Sequence, residues 1–461
     1  MTVDIHDLTG KFAPPETRYD IVIVGAGAAG TAAAIEAAHG GRSVLLIDEN
    51  PVPPGMMGTD VPLFYGGRMT AAAANPGRMV EAIFAANPQL EAAFDAGIEV
   101  LLGTCAWGLY RNGPAMKTLP EPMLGLADAA RAWMVGYGAL IVATGARDVV
   151  LGFPGWDRPG VMGAQAFHAL LTRYTALATR RMLIFGSDSL ALETALLAHR
   201  HGIDVAGIVE VADAVRGPSG LLAHVTAAGI AVLTGTVIVR ADGGIDGVER
   251  AVLRHDGVDI TIDCDTICLA IGTEPATELL DASGPVDATI RLVGDCALPS
   301  ASAAADWSRA IAAIAPPETI VCQCEDVTRA DLIGVQPPRY LDRPAAIAAR
   351  SLATLGHDGP VDPDQIKRLT RAGMGACQGR RCRTQVACLL ADASGTAVAP
   401  ATYRAPVRPI PLKLLADWDE PAAMAAGWDV WFGIPTQWTP YATIGTADEH
   451  APGLGGGNMH V

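Results

Sequence analysis

Two stretches of this 461-residue chain carry the same local pattern, and that pattern leaves few folds open. The first, from Tyr19, reads YDIVIVGAGAAGTAAAIEAAHGGRSVLLIDENP. Residues 21–24 form a β-branched apolar run of the kind carried by a strand buried on both faces. Residues 31–39 are alanine-rich and predict a helix, Gly40 and Gly41 stop it, and residues 44–47 predict a second strand. A β-α-β unit closed within about 30 residues implies a parallel sheet. The second stretch, from Arg181, reads RRMLIFGSDSLALETALLAHRHGIDVAGIVE and repeats strand, glycine turn, helix, His-Gly break and strand. One repetition, about 160 residues later, makes two open α/β folds rather than a solenoid.

Three further apolar runs end in tight turns: residues 139–145 (ALIVATG), 266–272 (TICLAIG) and 290–295 (IRLVGD). The first lies between the two units and the others follow the second. The last two are expected to return the chain to the first sheet, so that the second fold is an insertion. The fold class is thus α/β: two dinucleotide-binding (Rossmann-like) folds, the second inserted in the first, then a small C-terminal α domain and an irregular tail. The expected limits are 18–150 and 261–315 for the first fold, 151–260 for the insertion, 316–400 for the small domain and 401–461 for the tail.

Gly25, Gly27, Ala28, Ala29 and Gly30 belong to a G-x-G-x-x-G turn between strand and helix. The first glycine permits the turn, the second lets a pyrophosphate approach the backbone, and the third lets helix pack on strand. The helix then offers its first amides to the phosphates. Asp48, followed by Glu49, ends the second strand, where an acid accepts bonds from a ribose. In the second unit the turn is Gly186-Ser187-Asp188, and a carboxylate replaces the second glycine. It adds bulk and negative charge where phosphates would lie. Glu210 keeps the ribose position, but NAD(P) is not expected in this fold.

Nine cysteines are too few for a disulfide scaffold. Cys322 and Cys324 form one close pair, and Cys377 and Cys382 another within GMGACQGRRC. Four thiolates suit one metal centre. Spacings of C-x-C and C-x4-C depart from the usual zinc pattern, although zinc or four structural cysteines stay open. Glycines 373, 375 and 379 leave amides for sulfur, and Arg380, Arg381 and Arg383 offset negative charge. Cys105, Cys264, Cys268, Cys296 and Cys388 read as small core residues.

These motifs support three resemblances. The early glycine turn, Ala143-Thr144-Gly145 and the late Gly294-Asp295 resemble the two-dinucleotide-fold flavoproteins, which implies FAD at the first fold. The cysteine segment, over about 80 residues, resembles the bacterioferritin-associated-ferredoxin-like [2Fe-2S] domain, which implies Cys322, Cys324, Cys377 and Cys382 as cluster ligands. Residues 19 to about 410 together resemble the larger flavin subunit of heteromeric amino-acid dehydrogenases of the opine oxidase, D-hydroxyproline dehydrogenase and hydrogen cyanide synthase type. That resemblance implies an FAD/[2Fe-2S] electron-transfer subunit for oxidation of a C–N bond. It also implies two partners, a small ferredoxin-like subunit beside a second flavin-containing catalytic subunit. The alternatives are a stand-alone NAD(P)H-dependent FAD/[2Fe-2S] reductase and a non-enzymatic iron-sensing or scaffold protein.

The remaining features narrow the setting. With 33 basic and 49 acidic residues the chain carries a formal charge of −16, which argues against nucleic acid or an anionic membrane as partner. Residues 1–18 lack the apolar core of a secretory signal. The uncharged stretch 430–447 holds Pro435, Gln437 and Pro440 and does not read as a transmembrane helix. A cytoplasmic protein is expected. No catalytic acid, base or nucleophile is assigned: His168, His199 and His201 read as structural, and no C-x-x-C pair accompanies the flavin. Residues 50–62 and 64–68 are expected near the flavin by position alone. Trp418, Trp428, Trp431, Phe432 and Trp438 suit either subunit docking or packing on the chain itself.

Overall fold

The computed structural model describes residues 14–51, 76–112, 119–175, 177–299, 301–338, 340–342 and 345–416. The expectations for the Met56-Met57 loop, residues 64–68 and the tryptophans beyond 416 lie outside these residues.

The first sheet runs in the order Glu99–Leu102, Val44–Asp48, Thr17–Val24, Ala132–Val142, Met123–Ala127, Cys105–Tyr110. Thr17–Val24 is parallel to both neighbours, and Ile290–Leu292 adds parallel to the end of Ala132–Val142. Val22, Ile23, Leu45, Leu46 and Ile47 are fully buried, as two-sided coverage of a parallel sheet requires. The second sheet is parallel throughout: Val232–Leu233, Asp204–Val209, Arg181–Phe185, Thr266–Leu269, Val161–Gly163. Here one expectation is corrected. Thr266–Leu269 pairs with Arg181–Phe185 and Val161–Gly163, so it closes the second sheet instead of rejoining the first. The insertion therefore runs past residue 260, and Ile290–Leu292 is the strand that returns. The reason is local: the four residues of Thr266–Leu269 are all buried, so their apolarity marks a central strand without saying of which sheet.

A three-stranded antiparallel sheet, Thr236–Gly244, Gly247–His255 and Val258–Asp263, sits on the second fold. Ala146–Asp148, Gly272–Pro275 and Ala301–Ser302 form the bridge between folds. The helix Ala304–Ile314 lays Trp307, 1% exposed, edge-on against Phe185 with ring centroids 5.7 Å apart. Truncating such a tryptophan costs about 3–5 kcal/mol. The cysteine region is mainly helical, with Arg329–Ile333, Leu352–Asp358, Pro363–Thr370 and Arg383–Ser394 around Val321, Val327, Leu332, Ile366 and Leu390.

The expected tail boundary at 401 is also corrected in part. Residues 401–416 run back onto the first fold: the Val407 amide donates to the Trp107 carbonyl at 2.8 Å, and Leu414 packs with Cys105 and Trp107. Prolines 406, 409 and 411 keep residues 401–411 out of helix, and the short helix Leu412–Ala416 follows them.

Candidate functional site

The glycine turn is held by backbone bonds at its ends and by the side chains of Asp48, Thr31 and Asn87 at Ala26. The Gly25 amide donates to Ile47 O at 2.8 Å, and the Ala143 amide to Val24 O at 2.8 Å. Gly25 has φ +107°, and a Cβ there would stand 2.2 Å from Ala143 O. A Cβ on Gly30 would lie 1.8 Å from Gly25 O, so the third glycine is fixed by helix–strand packing. Gly27 differs: a Cβ there would meet no protein atom within 4 Å. It faces open space, as a close approach by a ligand needs. The helix Ala28–Ala38 starts immediately after it.

In front of the turn lies a cavity of about 510 Å³. Of the residues expected from sequence, Gly25, Gly27, Asp48, Glu49, Ala143, Thr144, Gly145 and Asp295 line it. Ala28, Ala29, Gly30 and Gly294 are not among its lining residues: Ala28 is exposed and Gly30 is buried. A Cβ on Gly294 would press to 2.8 Å on the Ala29 methyl, which explains how the late Gly-Asp is seated against the early turn. Asp48 is busier than a ribose acceptor alone. Its Oδ2 accepts from the Ala26 amide at 2.7 Å, and its Oδ1 from the Asn50 amide and Nδ2 at 2.8 and 3.0 Å. Tyr174 donates its hydroxyl to Asn50 Oδ1 at 2.7 Å. Asn50, Tyr174, Trp156, Arg147, Arg380, Arg381 and Arg408 also line the cavity. Asn50 is expected near the flavin by position, and Arg380 and Arg381 read from sequence only as charges beside the cysteines. Sequence reasoning missed Arg147, Trp156, Tyr174 and Arg408, which come from separate parts of the chain and share no local motif.

Asp148 lies at the start of the helix Ala164–His168, accepting from the Gln165 and Ala166 amides at 2.8 and 3.1 Å. Burial pushes its carboxyl up to about 6, against the pull of those amides. An acid raised in this way stabilises the fold fully below its unfolded value, near 3.8, and that contribution is lost as pH rises through about 6. Asp148→Asn keeps a helix-capping acceptor and removes the ionisation. Thermal melts should then lose this part of the slope between pH 3.8 and about 6, a difference of a few degrees in Tm.

The second turn is filled by its own chain. Glu210 is fully buried. It accepts from Ser187 Oγ at 2.7 Å, the Ala212 amide at 3.0 Å and Arg216 Nε at 3.1 Å. Glu210 keeps the strand-end position expected from sequence, but its carboxylate is turned inward and satisfied by its own chain. The Gly217 amide donates to Ser187 O at 2.8 Å, which draws Arg216 and Gly217 across the turn. Asp188 caps the helix Ser189–Arg200 by accepting from the Ala191 amide at 3.0 Å. His168 bonds Thr194 Oγ1 at 2.9 Å and burial lowers its pKa, in keeping with a structural role.

The four cysteines stand as two neighbouring pairs. Cys322 ends the strand Ile320–Cys322, and Cys382 caps the helix Arg383–Ser394. Cys322 bonds Cys382, and Cys324 bonds Cys377. The hydrogen bond from Cys324 draws Cys377 down to about 6, and the one from Cys382 lowers Cys322; their mates are raised in turn. The Gly373 amide points at Cys322 Sγ, 3.4 Å away. Gly375 packs where a Cβ would be 2.3 Å from that of Cys324. All nine cysteines are free thiols. Among the described residues no group of three or more His, Cys, Asp or Glu side chains is placed to hold a metal ion; the thiols stand as two pairs. The donor set itself, four thiols with amides aimed at sulfur, suits a thiolate-ligated centre. Glu325, next to Cys324, accepts from Arg371 Nε at 2.6 Å and clamps the two arms together. Arg381, between the second pair, lies over the Trp156 ring at 5.4 Å and donates to Gln323 Oε1 at 2.8 Å. No described helix is long and apolar enough to cross a membrane.

Comparison with known proteins places this geometry. Residues 340–418 match the sarcosine oxidase A3 domain. The alpha subunit of sarcosine oxidase from Rhizobium meliloti (strain 1021) is 27% identical over 83% of this chain, which spans 40% of that relative's length. An opine oxidase subunit of Agrobacterium tumefaciens (strain Ach5) is 26% identical over 86% of this chain and 91% of its own. Hydrogen cyanide synthase subunit HcnB of Pseudomonas aeruginosa is 28% identical over 85% and 97%. The crystal structure of L-proline dehydrogenase from P. horikoshii shares the fold at a TM-score of 0.56, with 18% identity over 87% of this chain and 79% of that one. Residues 19–297, well over half of the chain, match the pyridine nucleotide-disulphide oxidoreductase family. The glycine turn, the cavity before it and that match agree on a flavin-dependent oxidoreductase with support for FAD, and the chain belongs to the pyridine nucleotide-disulphide oxidoreductase family.

Proposed function

We propose that this chain is the FAD/[2Fe-2S] electron-transfer subunit of a heteromeric complex that oxidises the C–N bond of an amino acid, imino acid or opine. One observation carries the reading: Arg380 and Arg381, which lie between Cys377 and Cys382, line the same cavity as Gly25 and Gly27. When bound, a flavin takes electrons in pairs and a [2Fe-2S] centre passes them singly. The chain's own part is to hold both at one wall. Gly25, Gly27, Asp48, Glu49, Ala143, Thr144, Gly145 and Asp295 would hold FAD, with Ala28, Ala29, Gly30 and Gly294 shaping the turn. Cys322, Cys324, Cys377 and Cys382 would hold the cluster. The relatives are named as subunits of oxidases and a synthase. Those names support a heteromeric complex; the partners of our reading are a second, flavin-containing catalytic subunit and a small ferredoxin-like subunit. The cytoplasm is the compartment of this reading, because cysteines that ligate a cluster must be kept reduced.

The rival reading, a stand-alone NAD(P)H reductase, needs an open second turn. Glu210, Ser187, Arg216 and Gly217 occupy that turn themselves. Anaerobic mixing decides between the two. NADH at about 1 mM, the top of the ordinary KM range, is expected to leave the flavin spectrum of the purified chain unchanged for minutes. An amino-acid or opine substrate added with the partner subunit should bleach it. Rapid bleaching by NADH alone would sink the relay reading.

A further inference from the structure

We propose that Arg408, carried on the strap that follows the cysteine region, is a dinucleotide-binding residue of the first fold, acting at the adenosine ribose end. The proposal rests on the reading of the glycine turn as a dinucleotide site and adds to it a residue from the far end of the chain.

The strap is anchored on both sides of Arg408. Val407 is 3% exposed, donates its amide to Trp107 O, and accepts at its carbonyl from Arg380. Leu414 is buried beside Cys105 and Trp107. Arg408 therefore has little choice of direction, and it is among the residues that line the cavity. There it forms a two-pronged ion pair with Glu49, Nε to Oε2 at 2.6 Å and Nη2 to Oε1. Glu49 directly follows Asp48, at the strand end where an acid reads a ribose.

Charge explains why an arginine is needed. The wall around the turn carries Asp48, Glu49, Glu278 and Asp295. A pyrophosphate brought to Gly27 would add negative charge to a cavity whose wall already carries these carboxylates, and like charges in a partly dry cleft repel. Arg408 offsets Glu49 and, with Arg147 and Arg380, pulls the buried Glu278 carboxyl below its ordinary range against the opposing effect of burial. A guanidinium has five N–H donors, so it can serve a carboxylate and a ligand oxygen together, which a lysine does less well.

The test uses the full chain, stripped of flavin, with FAD rebinding followed by fluorescence at low and high salt. Arg408→Gln should raise the FAD Kd by about tenfold, equal to about 1.4 kcal/mol. Arg408→Lys should fall between the two and show a steeper salt dependence than wild type. The double variant Arg408→Gln/Glu49→Gln should bind FAD better than Arg408→Gln alone, because the uncompensated charge at 49 is gone while the glutamine keeps an oxygen acceptor for the ribose. Unchanged iron content and melting temperature would exclude a general folding loss. Wild-type affinity in Arg408→Gln would overturn the proposal, as would equal losses in the single and double variants. A wild-type chain that rebinds no FAD would instead overturn the reading of the first fold.

Discussion

Gly25→Ala is expected to empty the first fold of FAD and to lower the melting temperature as well. A residue with a Cβ at φ +107° is outside the left-handed well that ordinary residues tolerate, and its Cβ would lie 2.2 Å from the Ala143 carbonyl oxygen. Either the turn or the crossover strand must move, and both line the cavity. Strain of this kind costs about 3 kcal/mol, roughly a hundredfold in Kd if it falls on binding. Two companion variants separate the causes. Gly27 has an ordinary φ of −70° and open space before it, so Gly27→Ala should melt like wild type and still lose FAD, since its methyl occupies the phosphate's place. Gly186 repeats the geometry of Gly25 in the second fold, with φ +106° and a Cβ 2.0 Å from Ala270 O. Gly186→Ala should therefore lose stability and keep its flavin. Flavin content after desalting, set against thermal melts, reads all three. Flavin retained in Gly27→Ala would mean that the ligand does not approach the backbone there.

What the sequence made legible was local. Strand, glycine turn, helix and second strand recur as expected at Thr17–Asp48 and Arg181–Val209 because backbone sterics and burial decide them within one unit. The close seating of Gly294 on Ala29 was legible as a motif, though not as a contact. What stayed hidden depended on pairing across distance. Thr266–Leu269 is equally apolar on both faces and so did not reveal its sheet. Glu210 sits at the strand end in either state, and only Arg216 and Ser187 show that it is already satisfied. Arg408 meets Glu49 from 359 residues away. Tyr174 reaches Asn50 from the turn after an irregular helix, where no periodicity marks it. Such contacts are products of the assembled core and carry no signal in a window of the chain.

Cys377→Ser is expected to strip iron and acid-labile sulfide from the chain and leave FAD bound. On the proposed reading a thiolate is the ligand, and Cys377 is well prepared to be one: it is 2% exposed, bonded by Cys324, approached by the Arg381 and Gly379 amides and faced by Arg380. A serine oxygen is smaller, harder and ionised far less readily, so it replaces neither the bond length nor the charge that an iron centre takes from sulfur. The loss should be confined to one cofactor. Arg380 is held by the Val407 carbonyl and Arg381 by Gln323 and Trp156, so the wall that they lend to the flavin cavity does not depend on Cys377. Visible bands of the cluster should vanish, the flavin bands persist, and reduction of a one-electron acceptor fall by about a hundredfold or more, while a two-electron dye is spared. Cys388→Ser is the matched control: half-buried, with its thiol raised by burial and no paired cysteine, it should keep its iron. Other outcomes are equally decisive. Zinc in the wild-type chain without visible bands would mark a structural site; no metal, with the four thiols titrating freely, would mark cysteines that serve packing alone. In either case electrons from the flavin would have no single-electron carrier in this chain, and the relay would have to lie in a partner.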